Sequence, residues 1–140
     1  MKKFEFLEHT ADIYIQAYGK TLKQAFEHCA LGLNQQIVDL KNVEKKVFKK
    51  IKVKAEDLQS LLIDFLSKFL YFLDVDGLVF SEVKITKFDK KNFSIEAIAK
   101  GEKFDLKKHE EGCHVKAITY HDLTIKKKKD IWVIKVLIDI

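Results

Sequence analysis

The residues best placed to do chemistry stand at the two ends of the chain. Asp139-Ile140 closes it with a side-chain carboxylate followed by a terminal one. Near the start, the tract Glu8-His9-Thr10-Ala11-Asp12-Ile13 carries another aspartate. Chain ends fray unless something ties them down, yet residues 130–140 read as core strand to the last position. A carboxylate carried on a sheet is held as firmly as any other side chain. If the first and last strands pair, the carboxylates of Asp12, Asp139 and Ile140 converge. Hard divalent cations are held by oxygen sets of that kind. Asp139 also has a plainer reading, as a residue that solvates a strand end. The two readings part on whether those strands pair.

Other constellations are weaker. Asp74-Val75-Asp76-Gly77 has the flavour of a calcium loop, but its glycine directly follows the second aspartate, whereas the EF-hand needs it at the sixth loop position. A helix-stop turn is the better reading. His109, Cys113, His114 and His121 are zinc-capable types, but structural zinc sites use paired cysteines, which this spacing lacks. The sequence contains no glycine-rich phosphate loop and no nucleophile elbow. Cys29 falls on an apolar stripe and reads as a core thiol, and His28, off that stripe, reads as a surface residue.

All 26 basic residues are lysine, and the net charge is +5. Without arginine the chain lacks the bidentate fork that reads phosphates and guanine edges. Any attraction to nucleic acid is then loose and salt-sensitive. A lysine-rich RNA-binding module and a metal-dependent phosphohydrolase built on Asp12 and Asp139 are the two alternatives that residue types alone leave standing. Two cysteines give no disulfide framework, and the start at Met1-Lys2-Lys3 runs straight into strand pattern. A cytoplasmic protein with no membrane partner is the expectation.

The elements that must position these residues follow from periodicity. Residues 4–8 and 13–18 alternate as strands around the His-Thr-Ala-Asp corner. Thr21-x-x-Gln24 is a capping box opening a helix whose stripe is Leu22, Ala25, Phe26, Cys29, Ala30 and Leu33. Residues 45–54 form a lysine-rich strand in which Val47, Phe48, Ile51 and Val53 can reach the core. A second helix covers about 57–73, and Asp57, Asp64 and Lys68 interrupt its apolar run too often for a membrane span. A hairpin then turns through residues 89–92, residues 101–112 are polar and irregular, and a final hairpin crosses residues 126–130. The order predicts an α+β single domain over residues 1–140, two helices packed on one face of a mixed, largely antiparallel β-sheet.

Several of these tracts, taken together and in order, carry a resemblance. The Glu8–Ile13 tract, Ala17-Tyr18-Gly19-Lys20-Thr21-Leu22 with Ala25-Phe26, Gly101-Glu102 with Asp105 and His109, the run from Val115 to Leu123, and the ending Val136-Leu137-Ile138-Asp139-Ile140 resemble the archease family over essentially the whole chain. The resemblance implies a small α+β protein that is not itself an enzyme. Its partner would be the RtcB-type tRNA-splicing ligase, whose guanylylation and multiple turnover it promotes and whose nucleotide use it broadens. RNA contact would be indirect or weak. The resemblance also implies a metal site at Asp12, Asp139 and Ile140, with calcium the usual occupant and another divalent cation able to replace it. It assigns Lys116 to ligase activation and puts His9, Glu102, His109 and His121 near the same end. The chain departs from the family pattern at Tyr14, at Lys108 and at Gly112-Cys113-His114.

Overall fold

The computed structural model describes residues 1–9, 12–109 and 112–140, with the side chain of His9 outside that description. Thr10 and Ala11 of the His-Thr-Ala-Asp corner lie outside the described residues, as do Glu110 and Glu111. Strands β1 (Phe4–His9) and β2 (Asp12–Gly19) lead into helix α1 (Leu22–Ile37). After a single 3₁₀ turn (Leu40–Asn42) come β3 (Val47–Lys54), α2 (Leu58–Asp76), β4 (Leu78–Asp89), β5 (Ser94–Lys103), β6 (Ala117–Lys128) and β7 (Ile131–Asp139).

The α+β class and both helices are as expected, but the strands divide between two sheets. One has the order β1-β2-β7-β6 and the other β3-β5-β4. Every pairing in them is antiparallel, so neither sheet is mixed. The N-terminal and C-terminal strands do pair, β2 lying directly beside β7.

Local chemistry explains the helix limits. Thr21 Oγ1 accepts from the Gln24 N–H at 3.0 Å, and Gln24 Oε1 in turn takes the Lys20 N–H at 2.7 Å, so one orphan donor of α1 and the N–H just before its cap are satisfied. Asp57 caps α2 by accepting from the Ser60 N–H. That helix runs three residues beyond the expected end and stops at Gly77, whose φ of 66° suits a residue without Cβ. The Asp74–Gly77 tract is therefore the last turn and C-cap of α2.

The core is continuous from both helices to both sheets, with Phe26, Leu33, Leu62, Phe65, Leu66 and Ile134 fully enclosed. Each such side chain contributes roughly 1.5–3 kcal/mol by leaving water. Helix α1 is buried without interruption from His28 to Asn34, because it packs on β2 and also along β4. This corrects the surface reading of His28: it is buried, and its Nδ1 lies 2.5 Å from the Tyr18 carbonyl oxygen. A carbonyl only accepts, so Nδ1 carries the proton.

Strand β4 is an edge strand with two bulges, and α1 repairs both. Asn34 Oδ1 accepts from the Phe80 N–H at 3.0 Å and Glu27 Oε2 from the Ile85 N–H at 2.7 Å. Asn34 and Glu27 are two helical turns apart and so share a face. Gly101 on β5 sits at the first bulge, where a Cβ would fall 1.8 Å from the Val79 carbonyl oxygen. In β3 only Ile51 and Val53 reach the core; Val47 and Phe48, expected to join them, are exposed.

Candidate functional site

Pairing of β2 with β7 sets Asp12 opposite Asp139. Directly opposed residues in an antiparallel pair raise their side chains on the same face, with Cβ atoms about 4.5–5.5 Å apart. The next pair, Ile13 and Ile138, turns inward to the core, so the two aspartates stand on the outer face of the four-stranded sheet. Strand β7 is central at this point. Ala117 of β6 opposes Asp139 from the other side, and the Lys116 N–H donates to the Asp139 carbonyl at 2.8 Å. The Ile140 side chain packs against the core. The last strand is thus fixed on both flanks and anchored beyond its final paired residue.

His9 opposes Asp12 in the β1–β2 register, and its side chain lies outside the described residues. Lys116 sits just before β6 and is exposed. Among the described residues, no group of three or more His, Cys, Asp or Glu side chains is arranged to hold a metal ion. At the tip the register brings together the side chains of Asp12 and Asp139.

One row further along the same face, Tyr14 opposes Leu137. The Tyr14 hydroxyl donates to Asp122 Oδ2 at 2.9 Å, and the Lys135 ammonium lies 4.2 Å from the centre of its ring. Asp122 occupies the left-handed region (φ 54°), within the interruption of the β6–β7 ladder between Thr119 and Thr124. Aspartate tolerates that conformation better than most residues. The hydrogen bond to Asp122, then burial, then the negative charges of Asp122 and Asp12, raise the Tyr14 hydroxyl above its ordinary pKa. His121 is exposed, with Nε2 3.3 Å from Asp122 Oδ2. Tyr14 and Asp122 escaped the sequence reading because a bulge, not a spacing, brings them together.

Glu102 and His109 are bound to each other. The Asp105 N–H donates to His109 Nδ1 at 2.9 Å, so Nδ1 is the accepting nitrogen and Nε2 carries the proton to Glu102 Oε2 at 3.0 Å. Phe104 stacks on the imidazole. Glu102 Oε2 also accepts from the Glu44 N–H at 2.7 Å, and the Lys108 ammonium lies 2.9 Å from both Glu102 oxygens and 3.0 Å from Glu44 Oε1. Burial alone would raise the Glu102 carboxyl. The Glu44 N–H, Lys108 and His109 outweigh it and hold the group at about 2. Glu44 and Lys108 were not foreseen as partners. This cluster pins residues 104–109 to β5 and to the segment before β3.

The zinc-capable set does not come together either. Both His109 nitrogens are engaged, and Cys113 Sγ accepts from Gln36 Nε2 at 3.0 Å. Cys29 is wholly enclosed, and burial pushes its thiol far up, which makes it a core group and not a nucleophile.

Fold and site define a class: a small two-sheet α+β protein whose second and last strands pair to set two aspartates opposite each other on an outer sheet face. The Archease protein family (MTH1598/TM1083) matches residues 4–140. The chain is 47% identical to protein archease of Pyrococcus furiosus over the full length of both, and 43% identical to that of Methanosarcina barkeri over 99% of this chain and 97% of the relative. Its fold follows the solution structure of Methanobacterium thermoautotrophicum protein 1598, with a TM-score of 0.86, 33% identity and full coverage of both chains. The chain belongs to the archease family.

Proposed function

We propose that this protein is a non-catalytic activator of an RtcB-type tRNA-splicing ligase, promoting guanylylation and repeated turnover of that enzyme and broadening its nucleotide use. The observation that carries the reading is the Asp12–Asp139 register beside a firmly held chain end. Asp12, Asp139 and the Ile140 carboxylate would hold calcium or another divalent cation. Calcium takes about six to eight oxygen ligands, so three protein donors leave much of the shell to water, phosphate or a partner protein. A cation there supplies positive charge for phosphate groups at the partner's active-site mouth.

Lys116, exposed beside that tip, would add a second positive group for phosphate charge. His121 and the Tyr14–Asp122 pair shape the same face. Glu102 and His109 act in this reading by holding the preceding loop. The setting would be the cytoplasm; among the described residues no helix is long and apolar enough to cross a membrane.

Guanylylation of the cognate ligase, measured with this protein at substoichiometric ratio, tests the proposal. The expected result is a faster approach to full modification and a loss of that gain in Lys116→Ala at unchanged thermal stability. An unaltered rate with the wild-type protein would overturn it.

A further inference from the structure

The β3-β5-β4 sheet has one face on the core and one in water, and the watered face is dominated by lysine. Register places Lys50, Ile98 and Lys84 in one row across the sheet and Lys52, Glu96 and Lys87 in the next. Along the edge strand β3, Phe48, Lys50, Lys52 and Lys54 follow one another at alternate positions, roughly 6.6 Å apart. Glu82 is paired with Lys45 and Lys100 and Glu96 with Lys87, while Asp89 is occupied by the turn it caps. Lys50, Lys52, Lys54 and Lys84 have no carboxylate within ion-pair distance among the described residues. Phe48, at the head of the row, is 61% exposed.

Lysines on an edge strand also guard against edge-to-edge pairing. That role needs only a charge or two and gives no reason for an exposed aromatic in line with them, nor for Lys84 on the opposite edge strand. A row of unpaired ammoniums with an aromatic at its head suits a polyanion whose bases are free to stack. We propose that the outer face of the β3-β5-β4 sheet binds single-stranded RNA through its phosphates, with one base stacked on Phe48. Without arginine the binding is indifferent to sequence. It lies on a different sheet from the Asp12–Asp139 tip and does not depend on the ligase reading.

The test is fluorescence anisotropy of labelled oligouridylate and oligoadenylate 12-mers with the full chain alone, across a potassium chloride series. Four phosphate contacts give a slope of log K against log salt of roughly −3. The triple variant Lys50→Gln, Lys52→Gln, Lys54→Gln should flatten the slope to about −1 and weaken binding at low salt at least ten-fold. Phe48→Ala should weaken it about five-fold or more at unchanged slope. Lys126→Gln, Lys127→Gln, Lys128→Gln removes the same charge from the other sheet and should leave binding within two-fold. The proposal is overturned by no binding at low salt, by equal loss from both triple variants, or by β3 variants that keep RNA binding and lose only the cognate ligase. The last result would make an acidic protein surface the occupant.

Discussion

Two groups of ionisable residues stand out in this chain, one enclosed and one on an outer sheet face. At Glu102 the carboxylate receives a backbone N–H, an imidazole N–H and an ammonium, and it is almost wholly enclosed. Its binding capacity is used up inside the molecule, so its charge stabilises the fold. At Asp12 and Asp139 two carboxylates share one row on an outer sheet face. Like charges directly opposed across a ladder are unfavourable unless something positive offsets them, and in the proposed function that positive group is a cation.

The largest effect expected from this contrast is at the enclosed group. Glu102→Ala leaves the His109 and Glu44 N–H groups without an acceptor and Lys108 with one carboxylate partner fewer, and it should lower unfolding free energy by about 3 kcal/mol in urea titrations. Asp12→Asn should do the reverse. Stability should stay within about 0.5 kcal/mol, while stimulation of the ligase should fall ten-fold to a hundred-fold, the scale on which lost metal-site partners are felt.

An effect of the same order is expected with pH. Glu102 is held at about 2 in the fold against 4.5 for an ordinary glutamate, so its stabilisation is complete above pH 4.5 and is lost as pH falls through that range towards 2. Denaturant midpoints of Glu102→Gln should therefore be flatter than wild type between those values. The smallest effect is at His121, whose exposed side chain meets Asp122 at 3.3 Å: His121→Ala should move the thermal midpoint by no more than about 1–2 °C.

The elements were largely legible in the sequence because their signals are local. The Thr21 cap, the wide stripe of α2 and the Asp74–Gly77 stop each depend on residues within a turn or two of one another. What escaped is what depends on neighbours distant in the chain. Alternation in residues 13–18 and 131–140 tells which side faces inward but not which strand lies alongside, so one sheet was expected where two formed. His28 was misread because periodicity credits a helix with one apolar stripe, whereas α1 is covered from two directions. Val47 was misread because alternation continues past the point where the covering helix ends, and Phe48 because its apolar type was credited although it shares the outward parity of Lys50, Lys52 and Lys54.

At the candidate site, Asp12 and Asp139 were visible as types and their convergence was an inference from strand ends; the register sets them opposite each other. Glu102 and His109 were legible as motif positions, but their burial and the partner Glu44 depend on a segment 58 residues earlier that no spacing connects. Tyr14 meets Asp122 only because β6 is interrupted at that point.

The central claim is that Asp12, Asp139 and the carboxylate of Ile140 form one cation site. Calcium-dependent thermal unfolding tests it most directly, comparing the wild-type chain with a variant carrying one added C-terminal glycine. The extension turns the Ile140 carboxylate into a neutral amide carbonyl and leaves the packed Ile140 side chain in place. A ligand that binds only the folded state raises stability by RT ln(1 + [L]/Kd). The wild-type midpoint should therefore climb steadily with calcium above its dissociation constant, and the extended variant, starting from the same calcium-free midpoint, should climb only at much higher calcium. Identical calcium responses in the two proteins, or none in either, would contradict the claim.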